Sequence, residues 1–282
     1  MGLKQPLFWY NSRGWCQAPE KREILAGARH RRKEVNAMNE TIRLIQNHRS
    51  IRKYKSKDIE EEKLIEIIKS AQSASTSNFI QAYSIISIED KEKRRAIAEL
   101  SGKQSYIEEC PVFLVFCADF SRIEKACADN GAVFEGGYTE GLIIATVDAA
   151  LAAQNAMIAA ESLGLGGVYI GGIRNNPEKI AEIIALPKNS YPLVGMCLGY
   201  PEEITEVKER LPLPVVYKKN QYKCDEDEKL LKEYNERIKN YYTMRTEGKR
   251  QDTWSSQVAN LMSKPQRPHM KKFLEDRGFM LK

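Results

Sequence analysis

The stretch NHRSIRKY, Asn47 to Tyr54, gathers His48, Arg49, Ser50, Arg52 and Lys53, and only Ile51 interrupts them with an aliphatic side chain. Arginine supplies planar, permanently charged donors that suit phosphate oxygens. Arg49 and Arg52 are three residues apart, so on a helical turn both project to one side. Taken alone, the octamer reads more simply as a solvated, basic helix end. A second polar, basic stretch, RTEGKRQD, occupies residues 245–252. Other chemistries find less support. The three histidines form no H-E-x-x-H or Cys/His set, so no metal site is expected. The six cysteines are irregularly spaced without a C-x-x-C, which reads as reduced cytosolic thiols. No G-x-G-x-x-G follows a strand, so a Rossmann dinucleotide site is not indicated.

Charge is unevenly placed. The 282 residues carry a formal net charge of +6, of which residues 1–37 contribute +5, leaving the remainder nearly neutral. A nucleic-acid-binding protein would carry a basic domain, whereas here the charge sits in a tail. Residues 1–37 lack a sustained apolar period and read as a disordered basic extension, with Met38 as a plausible start. No run of about eighteen apolar residues is present, so no membrane span is expected.

The elements that must position these groups follow from periodicity. A helix begins after Met38, and residues 60–74 place Leu64, Ile65, Ile67, Ile68 and Ala71 at helical spacing. Residues 82–89 read as a strand, 90–100 as a charged helix and 111–118 as a buried strand. Residues 139–163 form a helix apolar on nearly every side, which belongs in a domain centre or a subunit interface. GLGG at 164–167 closes it and VYIGG follows as a strand. Residues 176–185 form a helix with Pro177 in its first turn, and 191–200 a further buried strand. Pro212 and Pro214 mark an extended segment, 225–243 a charged helix, and short helices surround Trp254 and Phe273. The sum is one α+β domain with a sheet between helices.

HRSIR at 48–52, the long aliphatic helix, GLGGVYIGGIRNN at 164–176, PLVGMCLGYP at 192–201 and K-x-R-L-P at 208–212 occur in that order. Together they resemble the nitroreductase family, of the NADPH-dependent flavin reductase and major oxygen-insensitive nitroreductase type, over about residues 39–282. The resemblance implies a three-layer α-β-α sandwich with a central, mostly antiparallel sheet. It implies an obligate homodimer in which residues 201–282 wrap the partner and FMN lies at the interface. His48, Arg49, Ser50, Ile51, Arg52, Lys208 and Arg210 would hold its phosphate, ribityl and N1/O2 region. Thr76, Asn78, Gln104, Tyr169, Ile170, Gly171 and Gly172 would meet the ring, although Asn78 departs from an expected serine. Arg245 and Arg250, with Lys249 beside them, would recognise the 2′-phosphate of NADPH. Arg267, Phe79 and Asn175 would line the acceptor pocket, with the Glu140 carboxylate near the flavin. The implied chemistry is ping-pong two-electron transfer from NADPH through flavin N5 to nitroaromatics, quinones or free flavins. No side chain need act as acid or base. Two other readings are a flavin reductase serving a partner monooxygenase and a flavin-free scaffold; a third, nucleic-acid binding through the basic tail, finds no motif.

Overall fold

The computed structural model describes residues 8–11, 14–17 and 39–281. Most of the expected basic extension, residues 1–7, 12–13 and 18–37, lies outside the described residues. Two compact units are present, Met1–Asn47 and His48–Lys282. In the first, β1 (Phe8–Asn11) pairs antiparallel with β2 (Gly14–Gln17), and α1 (Glu40–Gln46) starts at Asn39, whose side chain accepts from the Ile42 N–H at 2.9 Å.

The second unit is built on four strands: β3 (Tyr83–Ser87), β4 (Val112–Asp119), β5 (Gly166–Ile170) and β6 (Ser190–Gly199). They lie in the order β3-β4-β6-β5, every pair antiparallel. The unbroken apolar run of β4 has a simple cause: both faces of the sheet are covered. Leu114 and Phe116 face α2 (Glu61–Gln72) and α6 (Thr139–Ser162), among Ile67, Ala71 and Met157. Phe113, Val115 and Cys117 point the other way, onto α3 (Lys91–Leu100), α4 (Tyr106–Glu109) and α7 (Pro177–Ile183), among Ile97, Ile107 and Ile180. This is the α-β-α sandwich expected from the sequence.

By length and composition α6 is apolar enough to cross a membrane, although it lacks an unbroken apolar run. It is a core helix instead. Ala145, Ala149, Ala152, Ala153, Ala156 and Ala160 are buried along it, and their small side chains let it approach the sheet and α2 closely. α5 (Ser121–Asp129) follows β4. Beyond β6 come α8 (Leu213–Val216), α9 (Asp227–Arg245), α10 (Trp254–Met262) and α11 (Met270–Asp276). Tyr234, Ile238 and Tyr242 of α9 form a small cluster with Leu211 and Trp254, while Phe273, Leu274 and Phe279 pack on Phe120 and Tyr191.

Three local expectations are corrected. Gly164, at φ +79°, takes the left-handed position after α6, but Gly166 and Gly167 already belong to β5. Gly171 and Gly172 therefore lie in a 3₁₀ turn, Gly171–Asn175, beyond the strand. The segment around Pro212 and Pro214 is also not wholly extended, because Pro214 sits in the first turn of α8, where its missing N–H costs nothing.

Candidate functional site

α1 ends at Gln46, and the HRSIR segment after it is not the helical turn expected from its spacing. The Ile51 N–H donates to Gly167 O at 2.9 Å and Lys55 N–H to Tyr200 O at 2.9 Å, so the segment is laid against β5 and the end of β6. Ile51 is 4% exposed. Its side chain fills the space above Gly166, where an added Cβ would come within 2.5 Å of Ile51 Cγ1. Its carbonyl accepts from the Tyr54 hydroxyl at 2.6 Å. Ile51 is thus an anchor for the segment, with its side chain and its backbone groups engaged within the chain.

Around that anchor the basic residues line a cavity of about 440 Å³ with His48, Arg49, Ser50, Arg52, Lys53, Lys208, Arg210, Tyr241 and Arg245 on its walls. Glu203 and Glu206 are its acidic members. His48 Nδ1 lies 2.7 Å from Glu161 Oε1 at the end of α6. Arg49 donates to Thr205 O at 3.2 Å, Lys208 to the Tyr242 hydroxyl at 2.7 Å and Arg245 to the Tyr241 hydroxyl at 2.6 Å. Burial disfavours ionisation of Tyr242, yet the Lys208 hydrogen bond and charge bring its hydroxyl below the ordinary tyrosine value. Among the described residues, Arg52 and Arg210 make no hydrogen bond or ion pair. A basin with two uncommitted guanidinium groups and an excess of cations is chemically suited to a phosphate dianion.

Thr76, Asn78 and Phe79 lie elsewhere. Their loop contains a 3₁₀ turn, Ser77–Phe79, with Asn78, Phe79 and Gln81 at positive φ of 45°, 60° and 56°. Phe79 is 82% exposed, and the Thr76 hydroxyl is buried with no partner. Asn78 and Phe79 border a separate cavity of about 760 Å³ with Ile68, Tyr83 and Arg122. No residue lines both cavities. Asp148, which the sequence reading passed over, accepts from Ser77 N–H at 2.9 Å and Ala82 N–H at 3.0 Å. One signal was available: it is the lone charge in the middle of an apolar 24-residue helix.

Gly172, unlike Gly171, has a steric reason to be glycine. A Cβ on Gly172 would lie 2.3 Å from Ser101 O and 2.5 Å from Gln104 Nε2. Gln104, expected to reach outward, instead donates to Ser101 O at 2.7 Å and accepts from the Tyr106 hydroxyl at 2.5 Å. Ile170 is fully buried, and Tyr169 donates to Gln154 Oε1 at 3.2 Å. Burial, and then Glu161, push the Tyr169 hydroxyl well above the ordinary value.

The residues expected to meet NADPH and acceptor divide. Arg245 closes α9 and lines the basin, whereas Arg250 lies 4.4 Å above the Tyr242 ring and pairs with Asp252 at 2.9 Å, off the basin wall. Arg267 and Asn175 do meet, Nε to Oδ1 at 2.9 Å. Glu140 is exposed in the first turn of α6. No set of three or more His, Cys, Asp and Glu suited to a metal occurs among the described residues.

Comparison with known proteins agrees with this arrangement. Residues 45–200 match the nitroreductase family model and residues 208–282 the nitroreductase family, C-terminal domain model. A Bacillus subtilis protein named FMN reductase (NADPH) is 42% identical over 248 residues, 86% of this chain and 99% of that one. A Salmonella typhimurium protein named oxygen-insensitive NADPH nitroreductase is 43% identical over 242 residues, 86% of this chain and 99% of that one. The structure of the Vibrio harveyi NADPH:FMN oxidoreductase complexed with NAD+ superposes with a TM-score of 0.80 at 39% identity, covering 86% of this chain and 100% of the other. With the two models together covering residues 45–200 and 208–282, and relatives above 40% identical over 86% of its length, this chain belongs to the nitroreductase family.

Proposed function

We propose that this protein is an FMN-dependent NADPH oxidoreductase that reduces nitroaromatics, quinones or free flavins and works as a homodimer. The observation that carries the reading is the 440 Å³ basin, where Arg49, Arg52, Lys208 and Arg210 converge and two of the guanidinium groups are uncommitted. A phosphate there gains charge-assisted hydrogen bonds that cost no existing ion pair of Arg52 or Arg210. Bound FMN would supply the two-electron chemistry between NADPH and the acceptor. The chain's own work is binding and orientation: the basin grips the phosphate tail, Gly172 lets the Ser101–Gln104 turn pack closely beside it, and Arg250, held by Asp252 and Tyr242, offers a cation to the 2′-phosphate of NADPH.

Two features support the dimer. Ile143, Val147 and Leu151 form an exposed aliphatic stripe on one side of α6, and a helix with such a stripe gains by covering it. The basin and the Thr76–Phe79 loop are separate on one chain, so a partner is the natural source of the second half of a ring site. The free, buried thiols of Cys110, Cys117 and Cys197 support a reducing, cytoplasmic setting. Nothing favours a nucleic-acid partner.

The test is a visible spectrum of the purified protein, then anaerobic addition of NADPH and, separately, NADH. A flavin band bleached far faster by NADPH supports cofactor and donor together. Equal rates remove the role given to Arg250. A colourless protein that takes up no added FMN sinks the reading.

A further inference from the structure

The carboxylate of Asp148 is 0% exposed in the centre of α6, surrounded along the helix by alanines and aliphatic residues. A buried charge of this kind is costly unless every oxygen finds a donor. Here each oxygen takes one backbone N–H from the same loop, Oδ1 from Ser77 at 2.9 Å and Oδ2 from Ala82 at 3.0 Å. The two donors bracket the loop, so one side chain clamps both its ends. Within the bracket the chain is contorted: Asn78, Phe79 and Gln81 are all non-glycine residues in the left-handed region. Such conformations persist only where their surroundings enforce them, and they gather at ligand-holding loops. Immediately before the bracket, the Thr76 hydroxyl is buried without a partner, and inside it Phe79 is 82% exposed. The loop therefore holds an aromatic ring out to solvent and an unsatisfied hydroxyl behind it, in a shape that its own sequence would not choose.

We propose that Asp148 is the positioning residue for the flavin ring: it holds the Thr76–Phe79 loop in its ring-contacting shape and ties that loop to the helix that faces the partner subunit. Val147 and Leu151, beside Asp148 in sequence, belong to the exposed stripe of α6. On that reading a single helix carries the dimer contact along one stripe and the loop clamp on the adjoining face. The inference rests on the FMN reading above, and it goes further by separating two kinds of grip. The Arg49–Arg52 basin addresses the phosphate, whereas Asp148 acts only on the ring.

That separation gives the test. Full-length apoprotein is titrated with FMN and with riboflavin, which has the ring but no phosphate, and binding is read by quenching of flavin fluorescence. Asp148→Asn keeps the size of the side chain but turns one acceptor into an amide donor facing an N–H. We expect it to weaken both ligands by about tenfold, the equivalent of roughly one lost hydrogen bond, with the FMN-to-riboflavin affinity ratio unchanged. Arg49→Ala with Arg52→Ala is expected to lose FMN selectively and leave riboflavin as it was. A purely structural role for Asp148 would lower the melting temperature while the folded protein bound both ligands normally, and that result overturns the proposal. So does a loss confined to FMN. Should Asp148→Asn fail to fold, Ser77→Pro deletes one clamp donor from the loop and leaves α6 intact; a several-fold loss for both ligands supports the proposal, and unchanged affinity overturns it. Wild-type protein that binds neither ligand sinks the flavin reading itself, a failure distinct from that of the clamp.

Discussion

At the scale of single residues, the cations of the basin differ in what already holds them: Arg49 and Lys208 have partners within the chain, whereas Arg52 and Arg210 have no hydrogen-bond or ion-pair partner among the described residues. HRSIR was legible as a cation cluster because arginines stand out. The role of Ile51 was not, because its partner Gly166 lies more than a hundred residues away and only the fold brings the two together. Arg245 and Arg250 looked equivalent in RTEGKRQD, yet one lines the basin and the other stacks on Tyr242. They should therefore separate by mutation. Arg250→Ala is expected to raise the KM for NADPH about tenfold, a loss near 1.4 kcal/mol, and to leave flavin content unchanged. Arg245→Ala is expected to lower flavin content as well. Steady-state kinetics beside a flavin-to-protein absorbance ratio will distinguish them, and parallel behaviour of the two variants would contradict the division. Asp119 yields a pH prediction. Burial alone would raise its pKa, but hydrogen bonds from Ser121 and Ser84 and the Arg122 charge leave it below the ordinary carboxylate value. Its contribution to stability is therefore complete above the ordinary carboxylate range and is lost as pH falls through the depressed folded value. Asp119→Asn should flatten that acid limb, measured as the change in urea midpoint between about pH 7 and about pH 3.

At the scale of elements, the strong periods were readable and the weak ones were not. α2, α6, β4 and β6 carry four or more apolar residues, β3 and β5 three each, and each appears within a few residues of its expected place. α4 and α5 are short, and α5 has no fully buried residue; its apolar side is limited to Ile123, Ala126 and Cys127 in nine residues, too brief a period to mark a helix. The GLGG and YIGG glycines misled by two residues because a capping glycine and a close-packing glycine look alike in sequence. Their difference is testable at Gly172. Gly172→Ala forces its Cβ against the Ser101 carbonyl, a backbone atom that can yield only by shifting the turn that carries Gln104. The expected cost is about 1–3 kcal/mol in chemical unfolding, accompanied by weaker flavin binding. Wild-type stability in this variant would show that the turn gives way freely.

For the whole molecule, the proposed dimer would make the exposed stripe of α6 part of the site. Val147→Arg with Leu151→Arg is expected to produce a monomer by sedimentation and to shed flavin, because both would be lost with the same contact. A monomeric wild-type protein that retains its flavin would remove the dimer from the reading. The sequence placed this helix in a domain centre or a subunit interface because nearly every side of it is apolar, but it did not say which side is left uncovered. That depends on packing, and the alanines of the inner side decide it. These alanines have a consequence for how the molecule can change over evolutionary time. Alanine is the smallest side chain that favours a helix, so the inner side of α6 cannot drift downward in size without losing helicity. It cannot drift upward without wedging the sheet away from α2. Variation in side-chain size is therefore channelled to exposed loop positions such as Phe79, while the axis of the molecule stays fixed.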